Sequence, residues 1–336
     1  MPAEWEPHEA TWIGWPHNKG HWPGKYDFIP ATFAAIIAAL AMSEKVYLTV
    51  NDQQMEEEAR LMLSMLPVQV LNQLTFFHIP TDASWSRDHG PIFVYDEKQK
   101  LTLLNFTFNA WGEKYHPFDR DNAVPEQIAK KLRLPLVTPH MVLEGGSIDV
   151  NGAGSLLTTE QCLLNPNRNP SMSKEQIEEH LKNYLGISQV LWLNEGIVGD
   201  DTDGHVDDLA RFVSTNTIVT VLESNPNDEN YAILQENYAR LKQMKNLNGE
   251  PFELITLPMP EPVYFNNQRL PASYANFYIA NSVVLVPIFN CSQDAEALRT
   301  LRTLFPQHRV VSIDCVDLVW GLGTIHCSTQ QQPIQR

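Results

Sequence analysis

The groups best able to do chemistry in this 336-residue chain are one thiol, one imidazole and several carboxylates, spaced at a near-constant interval. Asp88 lies in Asp82-Ala83-Ser84-Trp85-Ser86-Arg87-Asp88-His89-Gly90-Pro91, Glu144 precedes Gly145-Gly146, and His205 lies in Thr202-Asp203-Gly204-His205-Val206-Asp207-Asp208. Cys327 follows Gly321-Leu322-Gly323-Thr324-Ile325-His326. From Asp88 to Glu144 is 56 residues, from Glu144 to His205 is 61, and from His205 to Cys327 is 122, twice 61. Alone, each has a plainer reading: a turn aspartate, a strand-end carboxylate, a surface-turn histidine, a core cysteine and, for Trp85, a core aromatic. The shared interval outweighs those readings.

Together the set suits one kind of substrate. A guanidinium is planar, permanently charged and forked, so carboxylates placed edge-on grip it through paired hydrogen bonds. Asp88, Asp207 and Glu144 offer such carboxylates. Cys327 is the one strong nucleophile of the set, reactive as thiolate, and His205 can shuttle protons near neutrality. A cysteine protease needs oxyanion donors and a single acidic orienter, which matches less well. Attack on a cationic guanidinium carbon matches better. The glycines at 321 and 323 either free the chain for a left-handed turn or let backbone close on a ligand. That brings Gly323 into the substrate-binding set with Asp88, Asp207, Trp85 and Asp82.

No metal set is legible. His205 with Asp203 or Asp207 does not define a coordination shell, and Cys162, Cys291, Cys315 and Cys327 lack zinc spacing. Neither a metal nor an organic cofactor is expected.

A repeated element must carry these residues. Paired apolar runs around short polar turns predict hairpins at 92–95 with 101–106, 147–150 with 156–158, 210–213 with 217–221, and 276–279 with 282–286. Helical patterns follow at 174–185, behind a Ser173-x-x-Gln176 capping box, at 229–245 and at 294–304. Third strands are expected at 189–193, 252–257 and 310–313, and a helix and strand nearer the N-terminus at 31–42 and 45–50. The pattern predicts an α/β fold of ββαβ modules, each about 60 residues and about five in number, able to close radially as propellers do. Equivalent places would then converge on one axis. The alternative is an open mixed sheet with helices on one face. No Pro/Gly/Ser-rich linker divides the chain, so a single domain over 1–336 is expected.

Forty acidic against 24 basic side chains give a formal charge of −16, which argues against nucleic acid and favours a small cationic substrate. No apolar run nears the ~20 residues of a membrane span, and residues 1–5 lack a basic-then-apolar signal. The cysteines therefore read as free thiols in a cytoplasmic protein, without a membrane partner. A homo-oligomer is compatible with this composition.

The motifs PAEWEPHEATWIGWP (2–16), WSRDHGP (85–91), LEGGSIDV (143–150), LLTTEQCLLNPNRNP (156–170), TDGHVDD (202–208) and GTIHCSTQQQP (323–333) span nearly the whole chain. They resemble the agmatine deiminase and peptidylarginine deiminase family of guanidino-group-modifying enzymes. The resemblance implies a five-bladed, pseudo-fivefold α/β propeller, a cysteine nucleophile at Cys327, a histidine at His205 and acids at Asp88, Glu144 and Asp207. It implies that Asp88 and Asp207 grip guanidinium nitrogens while Cys327 attacks the central carbon. His205, steadied by Glu144, would protonate departing ammonia and then activate the water that opens the amidino-thioether. Agmatine would give N-carbamoylputrescine and ammonia, a step toward putrescine.

This chain has Asp203 where many agmatine deiminases read Asn, and Gly321-Leu322-Gly323-Thr324 where they often read Gly-Gly-Gly-Asn. Peptidylarginine and free arginine are the alternative substrates, and Arg87, Arg168 and Arg211 are the residues that could clamp an arginine carboxylate. An amidinotransferase or a non-catalytic guanidino or polyamine binder are the alternative functions. The presence of both Cys327 and His205 argues against a binder, which requires neither.

Overall fold

The computed structural model describes all 336 residues. Four three-stranded sheets share one topology: an antiparallel hairpin whose second strand pairs in parallel with a third. Their strands are Ile92–Tyr95, Leu101–Leu104 and Leu136–Val137; Asp149–Val150, Ser155–Thr159 and Gln189–Leu193; Ala210–Phe212, Thr217–Leu222 and Glu253–Pro258; and Tyr278–Ile279, Val283–Ile288 and Arg309–Asp314. A parallel pair needs a crossover, and helices Val124–Leu132, Lys174–Leu185, Asn230–Gln243 and Asp294–Leu304 supply it. The middle strands are buried almost throughout, which is why they read as unbroken apolar runs.

A fifth sheet joins distant parts of the chain. Its order is Thr329–Pro333, His8–Gly14, Lys45–Val50 and Leu74–His78, the first pair antiparallel and the others parallel. Helices Ile29–Leu40 and Gln53–Leu63 make its crossovers. The expected hairpins and crossover helices lie within a few residues of their predicted places, including the Ser173–Gln176 capping box. Separate small sheets replace the alternative of one open mixed sheet. The strands at His8–Gly14, Leu74–His78, Leu136–Val137 and Thr329–Pro333 lie outside the predicted elements.

Helix packing also fixes site loops. On Lys174–Leu185 the buried face is Ile177, Leu181 and Leu185, spaced at i, i+4 and i+8. On Asn230–Gln243, two of the four buried residues are asparagines. Asn230 Oδ1 accepts from Val198 N at 2.7 Å, and Asn237 Oδ1 accepts from Asn194 N at 2.8 Å. These bonds satisfy half-buried backbone donors of the segment leading to His205.

Candidate active site

Every site residue stands on or beside a short turn that enters the first strand of a sheet. Asp88 is on Ser86–His89 before Ile92–Tyr95, and Glu144 precedes Gly145–Ser147 before Asp149–Val150. His205 and Asp207 flank Val206 at Val206–Asp208 before Ala210–Phe212, and Cys327 lies just ahead of Thr329–Pro333. The turns are bonded to one another: Arg87 N donates to Cys327 O at 3.1 Å, and Gly146 N to the Asp88 side chain, Oδ1, at 3.0 Å. A Cβ on Gly145 would sit 2.2 Å from Arg87 O, and one on Gly146 would sit 2.6 Å from His205 Nδ1. Only glycines let these turns approach.

A cavity of about 480 Å³ opens onto Cys327, and Asp88, Trp85, Asp82 and Gly323 line it. His205, Glu144 and Asp207 are not on its wall; they are fully buried beside it. Asp207 Oδ2 lies 3.8 Å from Cys327 Sγ, and His205 Nδ1 lies 3.7 Å from Asp88 Oδ1. Glu144 makes no hydrogen bond to His205; its Oε1 accepts from Arg168 Nε at 2.6 Å. In the Gly-x-Gly turn the glycines make room for protein side chains, and the left-handed residue is not a glycine. Leu322, with φ of 67°, takes the left-handed conformation, while a Cβ on Gly321 would meet Trp22 Nε1 at 2.5 Å and one on Gly323 would meet Cys327 Cβ at 3.1 Å.

Charge dominates the site. Burial pushes the Cys327 thiol well above its ordinary range, and Asp207, Asp208 and Asp88 push it further. Burial opposes a charged His205, but Asp88, Cys162 and Asp207 overcome it and hold the imidazole well above its usual value. Burial also raises Asp88, against the opposing pull of His205. Asp207 behaves differently: burial alone would raise it, yet the His326 hydrogen bond and charge, with His205 and Arg211, hold it below the usual carboxylate range.

The chain's sequence matches the model of the family described as Porphyromonas-type peptidyl-arginine deiminase over residues 1–333. The chain belongs to that family. Agmatine deiminases of Medicago truncatula and Pseudomonas aeruginosa are each 37% identical, over 366 and 359 residues, covering 99% and 100% of this chain and 96% of each relative. Among solved structures, a C. jejuni agmatine deiminase with substrate bound superposes with a TM-score of 0.91 at 34% identity. The agmatine deiminase of Enterococcus faecalis gives 0.93 at 32%; in both cases 100% of this chain and 96% of the other are covered.

Several residues of this family member were invisible to spacing alone. Asn276 stands before Tyr278–Ile279, in the fourth module, between the places of His205 and Cys327. Its Nδ2 donates to Cys327 Sγ at 3.1 Å and to Asp208 Oδ1 at 3.0 Å, and its Oδ1 accepts from Thr324 Oγ1 at 2.7 Å and His326 N at 3.0 Å. Extending the module count to that hairpin would have found it. Trp111, in a left-handed turn at φ of 56°, donates Nε1 to Asp88 Oδ2 at 2.9 Å. Behind the cysteine, His326 Nδ1 lies 2.7 Å from Asp207 Oδ2 and its Nε2 lies 2.8 Å from Glu4 Oε2. Glu4 in turn pairs with Arg211 at 2.8 Å and Arg87 at 3.2 Å.

Proposed function

We propose that this chain is a cysteine-dependent deiminase that hydrolyses agmatine to N-carbamoylputrescine and ammonia. The observation that carries the reading is the cavity wall: Cys327 shares it with Asp82, Asp88, Asp121 and Asp201, and no lysine or arginine lines it. Free arginine would bring a carboxylate with no cation to meet it. Agmatine, cationic at both ends, brings only charge that these acids attract. The three arginines that could have clamped a carboxylate are committed elsewhere: Arg87 to Glu4, Arg168 to Glu144 and Asp203, Arg211 to Glu4 and Asp149. Asp203 faces Arg168 and Lys114 in a left-handed turn that Asp and Asn both tolerate, so it is not on the cavity wall. The agmatine deiminases among its relatives support the same substrate.

Asp88 and the unpartnered Oδ1 of Asp207 grip the guanidinium. Its charge offsets the carboxylate field that keeps Cys327 protonated, the thiol proton leaves to solvent, and the thiolate forms a C–S bond to the central carbon. Imidazolium at His205 gives its proton to one amino group, which leaves as ammonia. Water loses a proton to His205 and adds to the same carbon; the C–S bond breaks, and thiol and ureido product remain. Asn276 orients the sulfur through its 3.1 Å contact.

We read the five sheets as blades of a pseudo-fivefold α/β propeller within one domain spanning 1–336. Their common topology, and the clasp between His8–Gly14 and Thr329–Pro333, support this. A single cooperative thermal transition is the expected outcome. No helix is long and apolar enough to cross a membrane, and we place the reaction in the cytoplasm. The deciding assay measures ammonia and ureido product from agmatine, arginine and a blocked arginyl peptide in parallel. Agmatine should be preferred by about 10²-fold or more in kcat/KM, as an unmatched buried charge dictates. Turnover of the peptide alone would overturn the substrate.

A further inference from the structure

The fold unites three donors that lie far apart in sequence. Cys162 follows strand Ser155–Thr159 on the turn Glu160–Leu163, where its N–H is held by Thr159 Oγ1 at 3.2 Å. Its Sγ, a ring nitrogen of His205 and a carboxylate oxygen of Glu144 lie within 4.8 Å of one another, all buried. The proposed reaction does not use this thiol. Arg168 occupies Glu144 Oε1 at 2.6 Å, while Glu144 Oε2 and both ring nitrogens of His205 have no hydrogen-bond partner in the protein. A thiol, an imidazole and a free carboxylate oxygen facing one small buried space form a chelating set, although the spacing of cysteines and histidines gave no sign of one.

We propose that Glu144, Cys162 and His205 form an inhibitory site for one borderline-soft divalent cation, with zinc as the ion to test, and that occupancy stops turnover by engaging His205. Zinc binds sulfur at about 2.3 Å, imidazole nitrogen at about 2.0 Å and carboxylate oxygen at about 2.1 Å. Donors around a tetrahedral ion are then about 3.3–3.7 Å apart, so inward shifts of about 1 Å would complete the set. Calcium and magnesium prefer oxygen alone, so the sulfur and nitrogen donors select against them. Arg168 orients the Glu144 carboxylate from outside, as outer partners of metal ligands do. Asp88 Oδ1, 3.7 Å from His205 Nδ1, adds negative charge beside the ion. On coordination, Cys162 releases its thiol proton and His205 its imidazolium proton to solvent, since sulfur and imidazole both bind deprotonated.

The inhibitory effect rests on the deiminase reading; the binding itself does not. The test uses the reduced full chain, stripped with a chelator, then dialysed against zinc with metal analysis, and separately against cobalt(II) as a spectroscopic probe. The expected result is about one ion per chain and a thiolate-to-cobalt charge-transfer band in the near ultraviolet. Agmatine turnover should fall about tenfold or more at one equivalent of zinc and return on chelation. Cys162→Ser should lose the band and about 10–100-fold in zinc affinity, and whatever turnover it keeps in chelator should no longer fall when one equivalent of zinc is added. Cys327→Ser should keep both ion and band. If Cys162→Ser folds poorly, His205→Asn must show the same loss of affinity. A band lost in Cys327→Ser but kept in Cys162→Ser would place the ion on the other thiol and overturn the proposal, as would no binding at micromolar zinc. Zinc binding dependent on Cys162 in a protein without agmatine turnover would sink the deiminase reading and leave the site standing.

Discussion

Two buried ionic regions meet at Cys327, and they are balanced differently. Behind the cysteine, Glu4 faces Arg87, Arg211 and His326; burial would raise its carboxyl, but these partners hold it well below the usual range. On the cavity side, burial raises Asp88 and lifts Asp121 to about 7 and Asp201 to about 6, and no lysine or arginine shares that wall. The residue types are alike; the difference is whether a permanent cation is built in. Paired acids hold the turns together, whereas unpaired acids leave a charge deficit that a cationic ligand fills.

The sharpest way to separate the two regions is to remove the sulfur without touching a carboxylate. Cys327→Ser should lower turnover by about 10⁴-fold or more while agmatine still binds, checked by single-turnover kinetics and calorimetry. Next in size, Glu4→Gln should cost about 3–5 kcal/mol in denaturant unfolding, because it leaves buried Arg87 without a carboxylate and Arg211 with Asp149 alone. Asp88→Asn should reverse that profile, losing about 10²-fold in kcat/KM with little change in the unfolding midpoint.

Proton traffic gives a smaller signal. The free thiol is held protonated and the cation favours the thiolate, so agmatine binding should release about one proton, read from calorimetry in buffers of different ionisation enthalpy. Apparent affinity should rise with pH, and Cys327→Ser should abolish the release. The smallest effect belongs to Asp121. Its folded-state carboxyl is raised to about 7, so it favours folding at low pH, and that contribution is lost as pH rises from about 4 toward 7. Asp121→Asn, whose amide oxygen can still accept from Asp82 N and Ala83 N, should gain in Tm over wild type across that window and level off above it.

The modules were legible because each hairpin carries its own turn and apolar alternation. Asp88, Glu144, His205 and Cys327 were legible as a set because the first three precede hairpins at a near-constant interval and Cys327 falls two intervals on. The balancing network was not. Glu4 reaches His326 only because His8–Gly14 pairs with Thr329–Pro333, a register that no local period encodes. Trp111 escaped because its contact with Asp88 depends on a left-handed turn in a segment without regular pattern. At Gly321-Leu322-Gly323, sequence suggested two uses for glycine. Only the crowding of Trp22 and Trp85 explains why the glycines make room for side chains while leucine takes the positive φ.

The pairing of His8–Gly14 with Thr329–Pro333 also sets a timetable for synthesis. Trp12 meets Gln332, its partner 320 residues later, so the first sheet waits with one flank open while the other modules emerge and fold. The strand that closes it begins two residues after Cys327. A chain interrupted upstream of residue 327 lacks both that thiol and the closing strand, and its exposed sheet edge is open to pairing with other chains. Formation of that closing strand and placement of Cys327 are one event.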